Sequence, residues 1–314
     1  MRWRVFFLLA LGLLPLAGCQ NLGSSTPSES RFTLRRGGLI VVIETAPQEY
    51  LTKFGPRFDR TAVVRQVTLR GREFLGEWGL PDEFGINGDG VLGYCNAPIG
   101  GEFVKIGVGR LVRDITNNYT FWQRYPVGKL FAVEASATKK NLSVLQSSDD
   151  VLPWRYRYKK TYELVADDVL GIRYQLTNAG TNAWSFEHYN HHWFALDHAP
   201  VGPAYALETG FALPTGDTTF TCEGRRLGLR SAVPTNSSCY LAGELIGVTA
   251  FQNHFTVRLH DQAKVSFQGD YAPARFAAYA APEGFCPEVF QRAEVLPGKT
   301  VAWSVRYQFV PQQP

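Results

Sequence analysis

The sequence has no block of basic residues. Its 32 lysines and arginines stand against 28 aspartates and glutamates, a formal net charge of +4 over 314 residues. That near balance argues against nucleic acid as a partner, because a polyanionic backbone calls for a concentrated positive face. No two of the five cysteines have the C-x-x-C spacing of a structural zinc site. No segment of a dozen residues beyond the N-terminal region has helical periodicity, which leaves strands to build the fold. No fixed period recurs, so a propeller is disfavoured. The Gly-x-Gly in Ile106-Gly107-Val108-Gly109 lies in a β pattern and opens no helix, so it is not a dinucleotide fingerprint. Histidine is absent before His188.

Arg2 and Arg4 precede an apolar run from Val5 to Leu16. The run falls short of the about 20 residues that span a bilayer and has the layout of a secretory signal. It ends in Leu16-Ala17-Gly18-Cys19, which resembles a bacterial lipobox. The resemblance implies cleavage before Cys19 and diacylation of its thiol, and two acyl chains give stable anchoring. Gln20 stands where an Asp would resemble an inner-membrane retention signal. The expectation is a protein tethered to the outer membrane by lipid alone, facing the periplasm or the cell surface. Residues 1–18 are then the signal peptide, 19–30 a polar linker, and 31–314 a single domain.

The dominant period is two. Trp154-Arg-Tyr-Arg-Tyr-Lys159 sets aromatic rings on one face of a strand and cations on the other, and Thr300 to Val310 alternates similarly. Leu39–Ile43 and Leu130–Val133 are continuous apolar runs, consistent with strands covered on both faces. Turn signals such as Asn178-Ala-Gly-Thr-Asn182 and Leu296-Pro-Gly298 separate the runs. Well over a dozen strand-like runs predict an all-β fold, a large sandwich of antiparallel sheets. An oxidising compartment permits disulfides. Cys222 and Cys239 bracket a loop-like stretch and are expected to pair; Cys95 and Cys286 then pair or stay free.

Four of the six histidines fall in Glu187-His-Tyr-Asn-His-His-Trp-Phe-Ala-Leu-Asp-His198. In an extended chain His188, His192 and His198 share one parity and His191 faces the other way. A single histidine on a sheet is commonly a satisfied structural residue, but such density points to binding or catalysis. Glu187 or Asp197 could join histidines around a metal, yet the pattern is not H-E-x-x-H and no cysteine pair assists, so no metal is expected. Glu288, in Gly284-Phe-Cys-Pro-Glu-Val-Phe290, has an apolar setting that would raise its pKa toward a useful general-base range. Lys105, Arg110 and Arg113 either hydrogen-bond sugar hydroxyls or carboxylates, or are surface charge.

These segments, in this order, resemble the aldose 1-epimerase (galactose mutarotase) superfamily. The matching residues are Tyr174 to Gly180, then Asn190-His191-His192-Trp193-Phe194-Ala195-Leu196, Glu288, Pro297-Gly298 and the aromatic strand from Trp303 to Phe309. The resemblance implies a β-supersandwich with a sugar-sized cleft. His191 would be the general acid at the ring oxygen and Glu288 the base at the anomeric hydroxyl, with no organic cofactor. His188, Asn190, His192, Trp193 and Arg110 would bind substrate, and Tyr156, Tyr158 and Tyr189 could stack on sugar rings. The family's second active-site histidine, upstream, has no counterpart; either His188 or His192 substitutes, or the cleft binds carbohydrate without chemistry. A polysaccharide-lyase-like activity is a third reading, since the fold alone does not select among these.

Overall fold

A computed structural model describes residues 30–149, 153–214, 219–260 and 263–311. The leader, Cys19 and most of the linker lie outside the described residues. Among the described residues no helix is long and apolar enough to cross a membrane.

The strand-rich reading holds. A ten-stranded sheet and a five-stranded sheet, all of whose described pairs are antiparallel, face each other across the main core, and two four-stranded sheets flank them. The alternation read at Trp154–Lys159 continues along the strand Tyr156–Ala166, where Tyr156, Tyr158 and Tyr162 point into the core. The strand Thr300–Val310 buries Trp303, Val305, Tyr307 and Phe309 in the same way. From the opposite sheet come Phe186, Phe276, Phe285 and Val289. Losing one such ring, as in Phe285→Ala, is expected to cost about 3–5 kcal/mol through lost transfer energy plus the cavity left behind; urea unfolding measures it.

Leu130–Val133 is not one strand. Val127–Leu130 belongs to a four-stranded sheet and Val133–Ala137 to the ten-stranded one, and buried Phe131 anchors the crossing between them. Leu39–Thr45 is a strand, but Ile40 and Val42 are only half-buried, so it is not covered equally on both faces. Among the described residues the longest helix, Gln48–Phe54, has seven residues and stops at Gly55, whose φ of 63° suits glycine.

No disulfide is found among the described residues. Cys222 and Cys239 lie on outermost strands of different sheets, Phe220–Glu223 of the ten-stranded and Cys239–Glu244 of the five-stranded one. Cys95 is exposed and free, and Cys286 is buried and free.

One polar cluster crosses the core. Lys160 Nζ lies 2.9 Å from both Asp59 Oδ2 and Asp82 Oδ2 and donates to Ala62 O at 2.6 Å. Asp82 Oδ1 accepts from Tyr174 OH at 3.1 Å and from Asn190 Nδ2, and His188 Nε2 is 3.4 Å away. Burial pushes the Asp82 carboxyl up, but Lys160 and His188 reverse this and hold it well below the usual carboxylate range. The cluster fastens the outermost strand of the five-stranded sheet, Asp82–Phe84, to the ten-stranded sheet.

Candidate functional site

The five-stranded sheet runs in the order Cys239–Glu244, Arg275–Ala281, Gly284–Val295, Trp184–Asn190, Asp82–Phe84. One face packs on the core; the other carries the candidate site. The pairing Trp184↔Val295 through His188↔Gln291 resumes at the bridge Phe194↔Phe285. That register sets His191 opposite Glu288 and Trp193 opposite Cys286. Between the two stretches the ladder is interrupted where Pro287, lacking an N–H, faces His192. His191 N instead donates to Pro81 O at 2.8 Å and Trp193 N to Gly79 O at 3.0 Å.

Alternation then sorts the histidine cluster. His191 faces the cleft, whereas His188, Asn190 and His192 face the core, so the reading of those three as substrate-binding residues is corrected. His188 packs among Phe84, Tyr174 and Trp303. Asn190 donates to Asp82. His192 donates from Nδ1 to Pro287 O and accepts at Nε2 from Tyr307 OH at 2.9 Å. Burial lowers the His192 pKa to about 4, so it is a neutral tie between the sheets. His198 pairs with exposed Glu73 at 2.7 Å.

The parity argument thus separated His191 from its neighbours, but the motif did not say which side held the cleft. Trp193 lies on the cleft side beneath Trp78, the two rings stacked at 4.4 Å, and is itself buried. A Cβ at Gly284 would lie 2.2 Å from Trp193 Cε2, so the close passage of the indole requires glycine there. Tyr156 and Tyr158 are core residues, and Tyr189 is buried beneath the cleft, donating to Glu83.

Arg110 is engaged by Glu102 at 2.6 Å and by Asp149, away from the cleft, so its reading as a sugar ligand is also corrected. Arg113 donates to backbone carbonyls, among them Ala97 O at 2.8 Å. Lys105 is buried, donating to Phe84 O at 3.0 Å and Tyr119 OH at 2.6 Å, and burial lowers its pKa to about 8.

The cleft encloses about 460 Å³, with His191 and Glu288 among its lining residues. Arg57 and Trp78 form one wall, Arg275, Tyr240 and Tyr279 another, and Asn87, Phe121 and Trp122 reach the opening. None of these wall and opening residues was singled out in the sequence. They come from distant segments, and only the sheet register brings Tyr240 beside Tyr279 and Tyr279 beside Cys286. A slightly larger depression of about 530 Å³ on the outer face of the ten-stranded sheet holds His254 and Arg306 but no carboxylate. Of the two, the smaller cleft is the one that brings a histidine and a carboxylate together.

His191 Nε2 and Glu288 Oε1 are 3.7 Å apart, both side chains almost fully buried. Trp78 stacks on the imidazole at 5.4 Å and Phe58 meets it edge-on at 5.2 Å. Burial drives the His191 pKa well below its ordinary value, with Arg57 and His192 adding to the effect. Burial raises Glu288 to about 8; Arg57 opposes and Glu83 reinforces the rise. At neutral pH the pair is therefore a neutral imidazole beside a protonated carboxyl, holding one proton between them. Arg57 stays charged despite burial because Glu83 Oε2 accepts from its Nε at 2.9 Å and Tyr189 lies against it.

No family model and no curated protein matches the sequence. Solved structures do resemble the fold. A galactose mutarotase related enzyme from Lactobacillus acidophilus superposes with a TM-score of 0.56 at 15% identity, covering 90% of this chain and 98% of that one. A galactose mutarotase-like protein from Lactobacillus casei gives 0.57 at 12% identity, over 90% and 100%. An aldose epimerase homologue from C. elegans gives 0.56 at 13%, over 91% and 100%. The fold is galactose mutarotase-like.

Proposed function

We propose that the cleft binds a sugar and interconverts its anomers by moving single protons through His191 and Glu288. The observation that carries this reading is their placement opposite each other on adjacent strands, 3.7 Å apart and lining one cleft. The one proton of the pair first passes from Glu288 to His191. Glu288 then takes the proton of the anomeric hydroxyl while His191 gives its own to the ring oxygen. The C1–ring-oxygen bond breaks, C1 becomes an aldehyde and rotates, and the reverse transfers close the ring on the other face. The pair ends with one proton, as it began. Positioned acids and bases of this kind contribute about 10²–10⁴-fold each.

Polarimetry of freshly dissolved α-glucose and α-galactose tests the reading, with relaxation faster than buffer as the expected result. A second reading, sugar binding without turnover, is favoured by one observation: His191 is the sole histidine among the residues lining the cleft. Relaxation at the buffer rate for every sugar, with measurable binding, selects it.

The one-proton state fixes the expected pH profile. In EDTA-containing buffer, kcat/KM should be highest near neutrality. It should fall above about pH 8, where Glu288 loses the proton of the pair. It should also fall in acid, where His191 gains a second one. A rate that rises steadily through pH 9 would contradict this. Trp122 is 70% exposed at the cleft opening, so Trp122→Ala should leave Tm unchanged. Loss of its ring from a bound sugar should weaken binding by on the order of 1 kcal/mol, several-fold in Kd.

The N-terminal reading is part of the same proposal: lipid on Cys19 holds this domain at the outer membrane. Cys19→Ala should release the protein from the membrane fraction into the periplasm, and retention on the membrane would count against it.

A further inference from the structure

Cys286 precedes Glu288 by two residues on the strand Gly284–Val295, so their side chains emerge on the same face. Across the strand pair stands His191. Sγ of Cys286 is 3.5 Å from Glu288 Oε1, and His191 Nε2 is 3.7 Å from the same oxygen. All three donor atoms fall within 4.8 Å of one another, and all three residues are buried. In a tetrahedral zinc site, bonds of about 2.0–2.3 Å set neighbouring ligand atoms about 3.3–3.7 Å apart. The two measured contacts already have that spacing.

The carboxylate and the imidazole are also lightly committed. Among the described residues Glu288 takes a hydrogen bond from Cys286 alone, and His191 Nε2 faces Glu288 at 3.7 Å, beyond hydrogen-bond distance. Of the two cations that line the cleft, Arg57 is neutralised by Glu83 at 2.9 Å and Arg275 has Glu187 at 3.8 Å. A thiolate, an imidazole and a carboxylate are a borderline-soft set that suits zinc and excludes calcium and magnesium. Two anionic ligands balance the charge of a divalent ion.

We propose that His191, Cys286 and Glu288 bind one divalent ion of the zinc type, with its fourth position open to the cleft. Binding at neutral pH releases two protons to solvent, one from the Cys286 thiol and one from the Glu288 carboxyl. The ion takes up the lone pairs of His191 and Glu288, so the metal-loaded protein does not anomerise sugars; that last consequence rests on the proposed function, whereas the site does not.

Cobalt(II) is the probe. The full chain, stripped with EDTA, is titrated with Co²⁺ while the near-ultraviolet thiolate-to-cobalt absorption is followed, and Zn²⁺ is then added as competitor. One equivalent of Co²⁺ should produce the absorption and Zn²⁺ should abolish it. Cys286→Ser and His191→Ala should each weaken Zn²⁺ binding by more than the about 10–100-fold that loss of an outer-shell partner costs. Cys95→Ser, which alters an exposed thiol, should keep the absorption. Should Cys286→Ser fail to fold by circular dichroism, Cys286→Ala takes its place. Absence of thiolate absorption in the wild type, or its survival without Cys286, overturns the site. Polarimetry in EDTA reports on the anomerase separately.

Discussion

Glu288→Gln is expected to slow anomerisation of any sugar the wild type turns over by on the order of a hundredfold or more, mostly in kcat. Glutamine matches the carboxyl in size but cannot exchange a proton, so sugar affinity should change little. His191→Ala should fall in the same range. The stronger expectation concerns the double variant. Groups that pass one proton between them act as a unit, and removing both should cost little more than removing either. Losses that multiply in the double variant would mean that the two residues work independently.

Lys160→Met should have the largest effect on stability, about 3–5 kcal/mol, the usual cost of leaving buried charge without its partner. Lys160, Asp59 and Asp82 are all buried, and the ammonium is the cation that both carboxylates contact. Its midpoint in urea should drop accordingly. The pH dependence has a definite sign. Asp82 is held below its ordinary pKa in the folded protein, so its stabilising contribution is present above the unfolded value of about 4 and is lost as pH falls through the folded value. In Lys160→Met that depression is gone and protonation relieves the buried charge. The gap between variant and wild type should therefore narrow on acidification. A constant gap from pH 7 to pH 3 would place the loss in packing instead.

Much of the scaffold was legible because period two is a local property. Tyr156 and Tyr158 faced the core where alternation put them, and the opposed parity of His191 emerged from spacing alone. Glu288 was legible from its apolar neighbours. The walls of the cleft were not, since Arg57, Trp78, Tyr240 and Arg275 lie on segments whose proximity depends on sheet order and register. Lys160 and Lys105 show a further limit: lysine in an alternating strand reads as solvent-facing, yet both are buried because carboxylates, a carbonyl or a phenol receive the ammonium. Arg110 went astray for the converse reason. A cation near a glycine-rich turn invites a ligand, but Glu102 and Asp149 were there to occupy it.

The tie from His192 to Tyr307 and Pro287 has a consequence for how the site can come apart. His191 sits between Asn190 and His192, each fastened by side-chain bonds across or within the core. The segment has no hinge of its own, so its amides should exchange with deuterium only when the whole molecule unfolds. The stretch bearing Phe121 and Trp122 has no comparable fastening through Trp122, whose side chain is largely in solvent. Its amides should exchange through small local openings at far lower free energy. The proton-carrying pair would then persist intact until global denaturation, while the mouth above it opens and closes many times.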